Sequence, residues 1–420
     1  MQPRTGFRTA LIATITLLAS AAAHPAVAQQ SGSSRLPSRN TLAKYGLERA
    51  WWNQATLNPR RDKLQYIVAD EQLLYAQATS GVLSAFDAET GKRLWSRQIG
   101  RLDQPGYPVF SNRDLVLAAY GTQVYALNRF NGDILWHVKL PGQPSASPAV
   151  DDQRLYVGTL DGTVYAFDLR KIRDLFEKAL LPQWSYQTIA WRYRTAGEIT
   201  TPPISTGSSV NFASRDGSLY SVTAEERELQ FQVETDAPVS APLAESETAL
   251  FLASEDFNFY CINKVGGQVR WDFTAGLPVR QQPRIIGENI YLTPFTGGMH
   301  CLTTTTGEPV WWRPEVTTFL AANRRLLFAS DELGTVQILS RATGVPLGGL
   351  ALREFSVRFQ NDRTDRLYLG TPTGLIVCIR DQNLSFPIYH MHPERRPILP
   401  EFAPEGGEPP ADGEATEESP

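Results

Sequence analysis

Residue types that build reactive sites are scarce in this chain of 420 residues, which has three cysteines, five histidines and three methionines. The cysteines are Cys261, Cys301 and Cys378, an odd count, so at least one thiol must be unpaired. All three fall at the same position of a repeat described below, one per unit. That places them too far apart for a disulfide, and three buried free thiols are expected. His137, His300, His390 and His392 are scattered, and His390-Met391-His392 is the closest approach to a ligand pair, so no metal site is expected. No nucleophile elbow and no glycine-rich phosphate cradle occurs, and no catalytic residue is assigned. The formal net charge of -4 gives no basic field to neutralise phosphates, which argues against nucleic acid as a partner. Beyond residue 23 no apolar run is long enough to span a bilayer.

The N-terminus does carry an address. Arg4 and Arg8 precede an apolar run from Ala10 to Ala23, and Ala26-Val27-Ala28 supplies small residues before Gln29. This is the pattern of a secretory signal peptide over residues 1–28, too short for a transmembrane anchor. Adjacent arginines are absent and no cysteine follows the apolar run, so general secretion without a lipid anchor is expected. The mature chain is expected in the periplasm or outside the cell, as a monomer. Residues 29–44 read as a flexible lead-in. Residues 386–420 read as a disordered tail rich in Pro and Glu, with no Lys or Arg after Arg396.

Between them, residues 45–385 are built from one repeated phrase. Ala85 to Trp95 (AFDAETGKRLW) is echoed at Ala126 to Trp136, Cys261 to Trp271 and Cys301 to Trp311. Weaker copies run from Ser221 to Phe231 and from Ile338 to Gly348. The aromatic markers are Trp51, Trp95, Trp136, Trp191, Phe231, Trp271 and Trp311, with Gly348 in the equivalent place of the last complete unit. Their spacing is about 40 residues, and each unit holds short strands punctuated by hairpin signals such as Asp161-Gly162 and Asp216-Gly217. That period means propeller blades of four strands.

A blade buries little surface alone, so each Trp is expected to lock neighbouring blades. At about 200 Å² per ring and about 25 cal/mol per Å², this amounts to several kcal/mol per seam. Gly348 lacks the ring, which predicts the loosest seam there. The chain ends mid-unit: Arg366 to Arg380 supplies inner strands without a Trp strand, and Tyr45 to Leu57 supplies a Trp strand without inner ones. Joining them closes the ring and removes exposed sheet edges, giving an all-β, eight-bladed propeller. Seven blades result if Tyr45 to Leu57 only caps the ring. Between Asp168 and Trp191 an insertion places Ile172, Leu175, Phe176, Ala179 and Leu180 at helical spacing. It is either a helix folded back on its blade or a partner-docking element presenting Phe176 and Leu180.

The A-x-D-x-x-T-G-x-x-x-W pattern resembles the tryptophan-docking motif of the quinoprotein (pyrroloquinoline quinone, PQQ) propeller family. The resemblance covers roughly Tyr45 to Asp381. Its dehydrogenase branch implies PQQ with Ca²⁺ in the central funnel and oxidation of alcohols or sugars. This chain lacks that branch's adjacent cysteines and long insertions, and no convergent oxygen cluster for Ca²⁺ is evident. The non-catalytic branch, typified by BamB-like outer-membrane assembly propellers, is similar in size and compactness. It implies an interaction scaffold for envelope proteins, with no cofactor; a carbohydrate-binding propeller is a further alternative. The loops entering each innermost strand would form the binding face, and Arg280, Arg284 and Arg358 stand in or beside them, either gripping an acidic partner or pairing with neighbouring acids such as Glu354 or Asp362.

Overall fold

The computed structural model describes residues 36–391. Within them lie eight four-stranded antiparallel sheets. Blade 1 consists of Leu64–Ala69, Leu73–Ala78, Val82–Asp87 and Arg93–Gln98. Blades 2 to 7 follow in the same meander over residues 110–139, 149–194, 204–234, 244–274, 284–313 and 318–350. Blade 8 takes Val357–Arg358, Leu367–Gly370 and Leu375–Asp381 from the end of the chain and Leu47–Gln54 from its beginning. Leu47–Gln54 pairs with Leu375–Asp381 from Leu47↔Asp381 to Gln54↔Leu375, as a full fourth strand and not as a cap. The fold is an all-β, eight-bladed propeller closed by the N-terminal strand.

The repeated phrase has a separate mechanical reason for each of its letters. In blade 1 the Asp87 carboxylate accepts hydrogen bonds from the backbone N–H of Glu89 (3.2 Å) and Thr90 (2.7 Å) and from the Thr90 hydroxyl (2.7 Å), which ties off the turn. Gly91 adopts φ +69, and a Cβ there would stand 2.4 Å from the Trp51 ring. Glycine is therefore required twice over, by its backbone angle and by the ring packed against it. The small residue opening the phrase lies across from the aromatic: Ala85↔Trp95, Ala126↔Trp136, Ala166↔Trp191, Ser221↔Phe231, Cys261↔Trp271, Cys301↔Trp311 and Cys378↔Trp51. A bulge accompanies each pair, and the apolar clusters fill the seams between successive blades. The three cysteines are free and buried, small fillers opposite large rings. Burial pushes the Cys261 thiol up to about 11 and the Cys301 thiol up to about 12.

The one exception to the pattern is compensated. In blade 7 the pair is Ile338↔Gly348, so the bulk has moved to the opposite strand. A Cβ on Gly348 would meet the Tyr45 ring at 2.0 Å, so a side chain from just before the N-terminal strand lies where a blade-7 Trp would begin. Tyr45 and Leu36 pack on a cluster of blade 7 and blade 8 residues that includes buried Leu42. The seam expected to be loosest is thus plugged by the segment before blade 8. Residues 36–44, expected within a flexible lead-in, include a short helix, Arg39–Ala43.

The insertion of blade 3 contains the expected helix, Leu169–Glu177, with the Asp168 side chain capping the backbone N–H of Arg170 and Lys171. Leu169, Ile172 and Leu175 are buried, and Leu169 and Ile172 cluster with Trp136 where other blades offer a glycine turn. At the other end, residues 386–391 fall in the stretch expected to be a disordered tail, yet they are strapped to blade 8. The Ile388 N–H donates to Asp365 (2.8 Å), Tyr389 bridges Thr364, and the His390 N–H donates to the Arg363 carbonyl (2.9 Å). Arg366 is fully buried, bound to Glu89 of blade 1 (2.9 Å) and to Asp365 (3.2 Å). The expected signal peptide, residues 29–35 of the lead-in, His392 and tail residues 393–420 lie outside the described residues.

Candidate interaction face

In an antiparallel meander, the turns between second and third strands and the loops leading to the next blade share one end of every sheet. That end forms a single face around the channel mouth. Arg280 belongs to the loop entering blade 6. It donates to Glu255 in the blade 5 turn (2.9 Å), and its guanidinium lies over the Phe295 ring of the blade 6 turn, 5.1 Å from the centroid. The Ser240 hydroxyl also donates to Glu255 (2.6 Å), and the Arg280 contact holds that carboxyl below the usual carboxylate range. With its side chain 48% exposed, Arg280 remains open to solvent.

The two other candidate arginines are committed internally. Arg284, on the first strand of blade 6, reaches past blade 7 to Asp362 (2.7 Å) and Gln360 (3.0 Å) of blade 8. Burial pushes the Asp362 carboxyl up, but the Arg284 and Arg363 charges outweigh it and hold it below its ordinary value. Arg358 donates to the carbonyls of Phe355 (2.9 Å), Gly334 and Leu352 (3.4 Å), and burial lowers its pKa. The three arginines therefore do not converge. Phe176 of the insertion is half-buried against His137, edge-on at 6.3 Å, whereas Leu180 is exposed.

What surrounds Arg280 is apolar. Phe295 is 62% exposed and Phe257, in the blade 5 turn, 47%. Leu277 links them: the Ala275 N–H donates to the Phe257 carbonyl (2.7 Å), the Phe295 N–H to the Pro278 carbonyl (2.8 Å), and a Cβ on Gly297 would touch Leu277 at 2.6 Å. Phe257 holds φ +74, at the hairpin position where other blades use Gly81, Gly162, Gly217, Gly298, Gly334 and Gly374. A left-handed L-residue costs about 1 kcal/mol or more, so blade 5 carries both a strained backbone and an exposed aromatic where glycine serves elsewhere. Leu277 opens one of the loops expected at the binding face, whereas Phe257 and Phe295 were absent from the sequence-based candidates. The signal was Asp256-Phe257 standing where neighbouring units read Asp-Gly or Gly-Gly.

The seven aromatic markers occupy the seams. The Trp51 indole N–H donates to the Ala88 carbonyl, Trp95 to Arg129 and Trp191 to Ala224, each at 2.8 Å, and Trp311 to Arg341 at 3.1 Å. Phe231 packs on Gly267 and Trp271 on Gly307. Trp136 is buried beside the insertion helix. With Trp52, Trp184 and Trp312 exposed on outer strands and the insertion, no tryptophan is left to floor the channel. Asp362, beside the first strand of blade 8, is paired with Arg284, and Glu245, on the first strand of blade 5, with Lys264. Among the described residues no group of three His, Cys, Asp or Glu side chains is placed to hold a metal ion.

A family model described as outer membrane protein assembly factor BamB, with PQQ-type repeats, matches residues 79–190 and 185–347, well over half of the chain. The chain belongs to the BamB family. BamB of Bordetella pertussis is 21% identical over 269 residues, covering 60% of this chain and 66% of that protein. The chain spans two thirds or less of the length of such relatives, 66% for BamB of Bordetella pertussis and 27% for BamB of Burkholderia pseudomallei. Among solved structures, BamB from Moraxella catarrhalis superposes with a TM-score of 0.62 at 15% identity, over 80% of this chain and 97% of that one. The computationally designed Ika8 protein superposes nearly as well, with a TM-score of 0.61 at 14% identity over 78% of this chain and 99% of that one. That likeness is one of fold, and function in this BamB-family chain has to be argued from its surface. Among the described residues no helix is long and apolar enough to cross a membrane.

Proposed function

We propose that this chain is an exported, non-catalytic scaffold of outer-membrane protein assembly, which captures a partner protein on the face centred on Phe257, Leu277, Phe295 and Arg280. The observation that carries the reading is the exposed aromatic pair bracketing a half-exposed arginine, with Phe257 kept at a backbone angle that glycine would adopt at lower cost. Exposed aromatics beside an arginine are the side chains that dominate protein–protein contacts. Membership of the BamB family supports the assembly role, and the signal-like N-terminus supports export to the periplasm. The tryptophans in the seams serve as docking residues between blades.

The test is replacement in cells lacking this chain. The intact protein should restore the amount of folded outer-membrane β-barrels. A Phe257→Asn, Phe295→Ser, Arg280→Glu variant should fold normally and fail to do so. Asparagine tolerates the left-handed angle at position 257. Full restoration by the variant would overturn the reading. Dye-linked alcohol or sugar oxidation by purified protein supplied with PQQ and Ca²⁺ would favour the dehydrogenase reading instead.

A further inference from the structure

A second feature lies away from the Arg280 face and is independent of it. The insertion of blade 3 and the blade 4 turn Glu225-Glu226-Arg227 enclose an open groove of about 850 Å³, whose lining includes Pro141, Tyr165, Tyr186, Trp191, Glu225 and Glu226. Tyr165 and Trp191 are buried below it, and Tyr186 stands 61% exposed with its ring 5.9 Å from exposed Trp184. Tyr186 lines the groove and Trp184 stands beside it outside the lining, an exposed aromatic pair on an insertion found in one blade of eight, which suits a docking surface.

The charge on its rim is specific. Glu225 and Glu226 are exposed and have neither an ion pair nor a side-chain hydrogen bond among the described residues. Arg192 and Arg227 also line the groove, and one Arg227 nitrogen is committed to the Arg192 carbonyl at 2.8 Å. Arg227 holds φ +59 where the equivalent turns use Gly91, Gly132, Gly267, Gly307 and Gly344, so this turn departs from its repeat in composition and in backbone cost. Aromatic rails with free carboxylates beside them suit an extended proline-rich segment with arginine at one end. The prolines lie on the rings and the guanidinium pairs with a carboxylate.

The chain's own C-terminal sequence has that chemistry. Arg395-Arg396-Pro397-Ile398-Leu399-Pro400 is a basic P-x-x-P phrase, continued to Pro404, a kind of sequence that aromatic-lined grooves recognise. We propose that the groove between blades 3 and 4 binds Arg395–Pro404 of a second copy of this chain. The same copy cannot supply it. The described chain leaves blade 8 at Met391, beside Arg363, and four further residues to Arg395 span at most about 14 Å. Blade 3 is three seams away, and packed sheets are separated by about 10 Å each.

Two measurements decide this. A synthetic peptide of residues 391–405 is titrated into protein truncated after Met391, following tryptophan fluorescence, with Tyr186→Ser and Glu225→Gln/Glu226→Gln variants alongside. Sedimentation velocity follows the full chain over concentration, with Arg395→Glu/Arg396→Glu and that change combined with Glu225→Arg/Glu226→Arg. The expected results are saturable peptide binding weakened tenfold or more by either groove variant, and association of the full chain lost on reversing the arginines and regained in the charge swap. Peptide binding indifferent to Tyr186 and the two glutamates would overturn the site. Groove binding of the peptide with a full chain that stays monomeric at every concentration would overturn the second copy as occupant.

Discussion

Removing the Tyr45 ring should open the propeller at one seam and nowhere else. A tyrosine ring carries about 200 Å² of surface; with most of it covered here, Tyr45→Ala loses about 3–4 kcal/mol at ~25 cal/mol per Å². Gly348→Trp alone is also destabilising, because its Cβ would stand 2.0 Å from Tyr45 Cε1 and the ring must leave. The two changes together, with Ile338→Ala giving the new Trp the small neighbour found in the other blades, should recover most of the loss, since the standard lock then replaces the plug. The expected coupling is about 2 kcal/mol, within the range of contacting residues. Urea unfolding gives the free energies. Hydrogen exchange should rise in Leu47–Gln54 and Pro346–Leu350 of Tyr45→Ala and remain slow in blades 2 to 5. Strictly additive free energies, or exchange that rises evenly around the ring, would refute this.

Other expectations follow from individual contacts. Trp95→Phe deletes a buried bond to the Arg129 carbonyl and should cost about 1 kcal/mol, while Trp271→Phe should cost less, because the Trp271 indole N–H is buried without a partner; equal costs in chemical unfolding would contradict this. Arg366→Met leaves Glu89 and buried Asp365 without their counter-charge and should cost about 3–5 kcal/mol, read from the urea midpoint. Burial pulls His390 down to about 4, so the folded chain keeps it neutral where an unfolded chain protonates. The unfolded state then binds more protons between about pH 6.5 and 4, and the His390 contribution, fully present above that window, is lost as pH falls through it. Limited proteolysis of the C-terminal strap should accelerate over that interval and become less pH-dependent in His390→Asn.

Blade architecture was legible in the sequence because it rests on short-range signals repeated in register: an Asp-tied turn, a glycine under a ring, a small residue opposite it. The shared blade was legible for the same reason, since Tyr45 to Leu57 and Arg366 to Arg380 are complementary halves of one phrase. Compensation was not. Nothing near Gly348 announces Tyr45, which arrives from the far end of the chain, and Ile338 gains meaning only once the register places it opposite the glycine. Arg284 and Arg358 read either as grips for an acidic partner or as charges paired with neighbours such as Glu354 or Asp362, and ring closure decides: Arg284 takes Asp362 and Arg358 takes three backbone carbonyls. The loop face and Arg280 were legible, but its aromatic part was not, because a phenylalanine replacing a glycine at position 257 carries no charge or motif to mark it.

Site-specific photo-cross-linking from Phe295 tests the interaction face most directly. A photoreactive residue at 295 in the full chain, expressed in its native cell, should trap one discrete protein. The adduct should vanish when Arg280→Glu and Phe257→Asn are added, and a probe at Thr304, in a turn at the opposite end of blade 6, should trap none. Equal trapping from both ends of the blade, or an adduct from 295 that survives both substitutions, would contradict the account.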